Sequence, residues 1–182
     1  MMNFTPNYKE AIRTYSIHYI CNMHYRKIHE SDNKGIAAVI RAVLKEHGVD
    51  KPGTVFTDPT TDELFDLFQT ENAQYWVVEN AGQIIGGAGI FPTKGLPSDC
   101  VELVKLYLHK SLRGKGVGKH LIQMCIDEAQ EYGFSSVYLE TMPELSNAIG
   151  LYEKMGFEKL DKRYGDSGHF ACDLWMLKKI DV

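Results

Sequence analysis

The chain has 182 residues, of which 44% are hydrophobic and 24% are charged, a composition typical of one soluble globular domain with a sizeable core. Lys and Arg number 20 against 24 Asp and Glu, which gives a net charge of -4. This acidic balance argues against binding of nucleic acid or an anionic membrane by the whole surface, so any anion site must be local.

Cysteine usage and the N-terminal sequence indicate the compartment. The 4 cysteines are scattered and form no Cys-x-x-Cys pair, so we predict that they are reduced. The N-terminal sequence has no apolar h-region, and no apolar run anywhere reaches about 18 residues. We therefore expect no signal peptide, no membrane span and a cytoplasmic protein.

Apolar spacing after Pro6 predicts an N-terminal helix with Tyr8, Ala11, Ile12 and Tyr15 on one stripe. We assign residues 1–24 to this extension and residues 25–182 to the main domain. The main-domain elements predicted from apolar periodicity, caps and turn residues are a strand at 25–29, a helix from Asp32 to Gly48, a helix with a capping box at Thr60 and Glu63, strands at 74–79, 83–91 and 101–108, a helix closed by Gly133, a strand at 135–140, a helix at 143–155, and strands at 157–161 and 169–177. This order predicts a single α+β domain around one sheet.

A basic, glycine-rich turn separates the strand at 101–108 from the helix that follows it. The basic residues of this region, with no acidic residue among them, are Lys105, Lys110, Arg113, Lys115 and Lys119. Glycines at the start of a helix let backbone N–H groups approach a ligand, and the helix dipole favours negative charge there. The pattern predicts a phosphate-binding turn.

Two common nucleotide motifs do not fit this turn. A P-loop requires Ser or Thr where His120 stands, and a glycine where Arg113 stands. A dinucleotide fingerprint requires a third small residue where Lys119 stands.

The turn Arg113-x-x-Gly116-x-Gly118 resembles the Gln/Arg-x-x-Gly-x-Gly/Ala signature of the GNAT superfamily of N-acetyltransferases. Segment 102–108 is similar to the fourth strand of that family, and segment 148–157 is similar to its A-x-x-L-Y-E-K-x-G-F block. The resemblance covers roughly residues 25–179. It implies a single-domain GNAT-like fold, with a mixed, mostly antiparallel sheet flanked by helices and the N-terminal helix as an addition.

The resemblance also implies a site for acetyl-coenzyme A. Backbone N–H groups of the turn would bind the pyrophosphate, and the pantetheine arm would run beside the preceding strand. The cofactor-binding residues so implied are Leu106, Tyr107, Leu108, Arg113, Gly114, Lys115, Gly116, Val117, Gly118 and Lys119. No metal is expected, because the sequence has no His-Glu-x-x-His motif and His169 with Cys172 is an isolated pair.

Tyr152 matches the family tyrosine that protonates the coenzyme A sulfur; its spacing alone favours a core tyrosine, but the Leu-Tyr-Glu-Lys-x-Gly-Phe context favours the catalytic role. Glu102 lies where some family members place a water-activating carboxylate, and Glu140 ends a strand that lines the acceptor side of the family's cleft. Either glutamate could instead be a surface strand residue. Many members carry an asparagine where Leu145 stands. Asn147 lies about 140° round the helix from Tyr152 and is left out of the predicted site.

The sequence thus predicts an enzyme that moves an acetyl group from acetyl-coenzyme A to a small-molecule or peptide amine by direct transfer in a ternary complex. The alternative is a non-catalytic acyl-coenzyme A-binding regulatory module. Nucleic-acid and membrane partners are not expected, and a homodimer is possible. Segment 165–168 is predicted to be a turn, in which Ser167 has no catalytic role.

Overall fold

The computed structural model describes residues 23–181, so the predicted N-terminal helix lies outside the described residues. One sheet of seven strands has the spatial order β1-β2-β3-β4-β5-β7-β6. Its strands are β1 (Met23–Lys27), β2 (Gln74–Asn80), β3 (Gln83–Phe91), β4 (Cys100–Leu108), β5 (Ser136–Thr141), β6 (Glu158–Leu160) and β7 (Leu174–Lys179). The predicted single-domain α+β architecture is confirmed.

Helices cover both faces of this sheet. They are α1 (Asn33–Glu46), α2 (Leu64–Leu67), α3 (Val117–Glu131) and α4 (Ser146–Lys154). Apolar stripes explain the two faces: α1 and α2 pack into one core cluster, whereas α3 and α4 pack into a second cluster on the other face. No helix within residues 23–181 is long and apolar enough to cross a membrane.

The neighbouring strands β4 and β5 are parallel, whereas the other neighbouring pairs are antiparallel. The strands β4 and β5 are paired over only part of their length. Their pairing begins at Cys100 opposite Ser136 and ends at Glu102 opposite Tyr138. Beyond that point β4 continues to Leu108 without β5 as its partner. A gap therefore opens in the middle of the sheet.

A bulge bends β4 beside this gap. Gly87 of β3 pairs with Tyr107 and Gly89 pairs with Val104, so an extra β4 residue is accommodated between the two pairs. Lys105 lies in the bulge with φ +50°, an uncommon left-handed conformation for a residue with a side chain. The hydroxyl of Tyr75 donates a hydrogen bond of 2.9 Å to the Lys105 carbonyl and holds the bulge in place.

Three local predictions were wrong. Asp58, not Thr60, caps the turn before α2, and α2 itself is a single turn. The predicted helix at 143–155 is divided into a 3-10 turn, Pro143–Leu145, followed by α4. The last strand begins at Leu174 rather than at 169, because the chain before it is held by other contacts: the Ala171 N–H, for example, donates to the Gly53 carbonyl at 3.1 Å.

Candidate active site

A cavity of about 620 Å³ occupies the gap between β4 and β5. One wall is β4 from Glu102 to Leu108, and the opposite wall is formed by the end of β5 and by α4. The glycine turn closes one end, while Glu102, Glu140 and His169 lie at the other. We call these the turn end and the carboxylate end of the cavity.

The turn end has the backbone geometry that a phosphate site requires. Gly114 and Gly116 have φ of 72° and 79°, and a Cβ on either would meet no atom within 4 Å. The N–H of His120 makes the first intrahelical bond of α3, to the Gly116 carbonyl at 3.0 Å. The N–H groups of the three preceding residues therefore lie in the helix start, where an anion can accept from them.

Gly118 is required for a different reason, because the first turn of α3 packs closely against the cavity walls. A Cβ at this position would lie 3.0 Å from Leu151 of α4 and 3.4 Å from Leu108 of β4. The glycine thus lets three elements meet around the cavity.

Two members of the basic cluster have their side chains directed elsewhere. The Arg113 guanidinium forms a two-pronged ion pair with Glu46, at 2.7 and 2.8 Å, at the end of α1. Lys105 is buried and its Nζ lies 2.7 Å from Asp58. In addition, the backbone N–H groups of Arg113 and Lys115 already donate to nearby carbonyls. These two N–H groups therefore differ from the free pyrophosphate donors that the sequence predicted in the turn.

Tyr152 lines the cavity from α4 and is buried. Its ring packs edge-on against Phe157, with 5.8 Å between ring centroids, so the residue is part of the core as well as of the cavity wall. Burial raises the pKa of its phenol, which therefore stays protonated across the physiological range. Both interpretations of Tyr152 from the sequence are compatible with this position.

Glu102 is also buried, on the β4 wall at the carboxylate end. Burial raises its pKa to about 8; the hydroxyl of Thr93, which donates to Oε2, opposes this shift, and the charge of Glu140 adds to it. Glu102 is therefore a carboxyl group that exchanges a proton near neutral pH, and it does not lie on the surface.

Glu140 is held by the protein on both oxygens. Tyr138 donates to Oε1 at 2.9 Å, Ser167 donates to Oε2 at 2.7 Å, and the Arg163 Nε lies 3.5 Å from Oε1. Its side chain is 2% exposed. Glu140 thus lines the cavity, but its contacts fix the loop between β6 and β7.

Three polar residues meet at this end, and none of them was assigned to it from the sequence. Asp58 precedes α2, Lys105 lies in the β4 bulge, and His169 lies in the loop before β7. The Asp58 Oδ2 is 2.7 Å from the Lys105 Nζ and 3.1 Å from the His169 Nε2. Burial alone would raise the pKa of Asp58, but the hydrogen bond from His169 and the charge of Lys105 outweigh it and hold this pKa well below its usual range.

Asn147, which we had left out of the site, lines the cavity. Asn147 lies in the first turn of α4, so the cavity also reaches the start of that helix. Leu145, at the usual asparagine position, lines it too. Among residues 23–181 no group of three or more His, Cys, Asp or Glu could hold a metal ion.

Comparisons with known proteins show the family of this chain. A family model described as the acetyltransferase (GNAT) family matches residues 40–157. An uncharacterized N-acetyltransferase of Escherichia coli K12, YjgM, is 44% identical over 157 residues, which is 85% of this chain and 93% of the relative.

Solved structures show the same fold. A GNAT-family acetyltransferase of Staphylococcus aureus has a TM-score of 0.77 at 18% identity and covers 87% of this chain and 99% of its own. The PaiA N-acetyltransferase of Thermoplasma acidophilum, solved in complex with coenzyme A, has a TM-score of 0.68 at 19% identity, with coverage of 87% and 99%. The class is therefore that of acetyltransferases. This chain belongs to the GNAT family and is an enzyme of that family.

Proposed function

We propose that this enzyme transfers the acetyl group of acetyl-coenzyme A directly to a primary amine, with both substrates bound together. The observation that carries the proposal is the continuous cavity between β4 and β5, which joins a glycine turn suited to phosphate to a buried carboxyl group suited to proton transfer. The PaiA structure in complex with coenzyme A has the same fold and supports the choice of acyl carrier.

The residues of the turn end fit coenzyme A. The N–H groups of Val117, Gly118 and Lys119 would bind the pyrophosphate at the start of α3. Between Leu106 and Leu108 the backbone of β4 has no β5 neighbour, so the amides of a pantetheine arm can pair with it like an added strand. Coenzyme A supplies the activated thioester, and every other group in the reaction belongs to the protein or to the amine.

Tyr152 would donate a hydrogen bond and then a proton to the leaving sulfur. The phenol lines the same cavity as the β4 backbone, and its raised pKa keeps the proton in place until a thiolate develops nearby.

Glu102 would take a proton from the amine. A lysine-like ammonium has a pKa of about 10.4, so transfer to an ordinary glutamate of about 4.3 is uphill by about 8 kcal/mol. With the Glu102 pKa raised to about 8, the uphill step falls to about 3 kcal/mol. Glu140, which has protein partners on both oxygens, is better suited to shaping the acceptor pocket than to taking protons.

We also propose that the protein works in the cytoplasm. Its buried cysteines within residues 23–181, namely Cys100, Cys125 and Cys172, are free thiols, which suits a reducing compartment.

The direct test is release of free coenzyme A thiol from acetyl-coenzyme A in the presence of a panel of amines, covering amino acids, polyamines, aryl-alkylamines and peptide N-termini. We expect thiol release that depends on one amine class. Binding of acetyl-coenzyme A without thiol release for any amine would contradict catalysis and favour a binding module.

A further inference from the structure

Acetylation of an ammonium acceptor releases one proton that neither Tyr152 nor Glu102 carries to solvent in the proposed reaction. When an ammonium acceptor is acetylated, the amide C–N bond forms, the thioester C–S bond breaks, and the nitrogen loses two protons. One proton ends on the coenzyme A thiol. The other must leave the protein in every cycle.

Glu102 is poorly placed to release a proton directly to water. The residue is 3% exposed, and one of its oxygens already accepts from Thr93. A group nearer the solvent at the carboxylate end is therefore needed if Glu102 is to be ionised again for the next cycle.

His169 lines the same end of the cavity, and its side chain is 18% exposed. Its Nε2 lies 3.1 Å from Asp58 Oδ2. An ionised carboxylate can only accept, so Nε2 carries the hydrogen and Nδ1 is the atom that can take up a second proton. Imidazole is the side chain whose ordinary charge change falls between about pH 5 and 8.

The backbone of His169 is fixed on both sides. Its N–H donates to the Ser167 hydroxyl at 3.1 Å, and the same hydroxyl donates to Glu140. Its carbonyl accepts from Arg163 at 2.9 Å. These contacts fix the backbone of His169, and the contact with Asp58 orients its imidazole.

Four charged residues surround His169, directly or through one intervening group. Asp58 contacts it directly, and the same carboxylate oxygen also contacts Lys105 of β4. Glu140 of β5 acts through Ser167, and Arg163 lies in the same loop as His169.

We propose that His169, oriented by Asp58, carries the released proton from the carboxylate end of the cavity to solvent. This inference rests on the proposed acetyl transfer. In this proposal His169 is the proton carrier, and Asp58 positions its imidazole.

The test compares His169→Gln with the matched control His24→Gln, an exposed histidine on the edge strand β1. Acetyl transfer is measured at pH 7 in a low concentration of a bulky buffer and again with added imidazole. We expect kcat of His169→Gln to fall by about tenfold or more, with the KM for acetyl-coenzyme A unchanged, and to be restored in large part by imidazole. The control should match the unmodified enzyme in both buffers.

An unchanged kcat would overturn the inference, and so would a loss of kcat that imidazole does not restore, because a structural defect does not respond to a proton carrier. If His169→Gln does not fold, His169→Asn, whose shorter amide leaves space for imidazole, is judged by the same restoration. An unmodified enzyme that acetylates no amine would overturn the proposed function itself, whereas an active enzyme with an unaffected His169→Gln overturns only the proton path.

Discussion

Asp58 and Lys105 are 47 positions apart in the chain, yet a carboxylate oxygen of the first lies 2.7 Å from the ammonium nitrogen of the second. The pair joins the loop before α2 to the bulge of β4. The Lys105 side chain is 4% exposed and that of Asp58 is 16% exposed, so this ion pair is screened little by water. It fixes the bulge beside the cavity from one face of the sheet.

Breaking this pair should cost considerable stability. In Asp58→Asn the Lys105 ammonium stays buried without a counter-charge, and we expect the free energy of unfolding at pH 7 to fall by about 3 kcal/mol, as measured by urea denaturation. The control is Asp62→Asn, which breaks the exposed pair with Arg41 and should cost at most about 1 kcal/mol. Equal losses in the two variants would contradict the structural role of the buried pair.

The pH dependence of that contribution follows from the direction of the Asp58 shift. Its pKa is lower in the folded than in the unfolded state, so the stabilisation is present above the unfolded value of about 3.9 and is lost as the pH falls below it. The difference in stability between the unmodified protein and Asp58→Asn should therefore shrink towards acid pH. A difference that stays constant down to about pH 2 would contradict this assignment.

Glu102→Gln should lower activity and raise stability. Removing the proposed base should reduce kcat by about 100-fold at pH 8, measured by thiol release. Burial raises the pKa of Glu102 to about 8 in the folded protein, so ionisation of this carboxyl group opposes folding. Its contribution to stability is greatest below about pH 4.3, the pKa of glutamate in the unfolded chain, and is lost as the pH rises through about 8. The variant should therefore unfold at a higher temperature than the unmodified protein at pH 9. Unchanged kcat would contradict the role as base, and a lower melting temperature at pH 9 would contradict the direction of the pKa shift.

Gly116→Ala tests the phosphate-binding turn. Gly116 has φ +79°, so alanine is strained there by about 1 kcal/mol and should shift the N–H groups that follow. We expect a higher KM for acetyl-coenzyme A, measured by steady-state kinetics. Gly133→Ala, at φ +83° with no atom within 4 Å of the added Cβ, carries the same strain at the other end of α3 and should leave that KM unchanged. Equal effects of the two changes would mean that strain alone is being measured.

The parts of the site that lie close together in sequence were predictable. The strand, the glycine turn and the start of α3 follow one another, so local spacing alone indicated the turn end. The Asp58 and His169 pair was not predictable in this way, because the two residues are 111 positions apart and no local motif links them. Only the tertiary fold brings these two loop residues together.

The misplaced start of the last strand has a similar cause. Phe170, Ala171 and Cys172 have apolar character that suits a strand, but the loop before Leu174 is held by tertiary contacts instead. Phe170 lies over Gly53, where an added Cβ would be 2.4 Å from the ring. The loop therefore contacts a glycine more than a hundred positions away, and an apolar pattern in the sequence cannot indicate such a contact.

The most direct test of acetyl transfer in this cavity is the steady-state kinetics of Tyr152→Phe, which removes one hydroxyl and keeps the packing of the ring against Phe157. We expect kcat to fall by about 100-fold while the KM for acetyl-coenzyme A stays close to that of the unmodified enzyme. A kcat equal to that of the unmodified enzyme would contradict this expectation and would leave Tyr152 as a core residue alone.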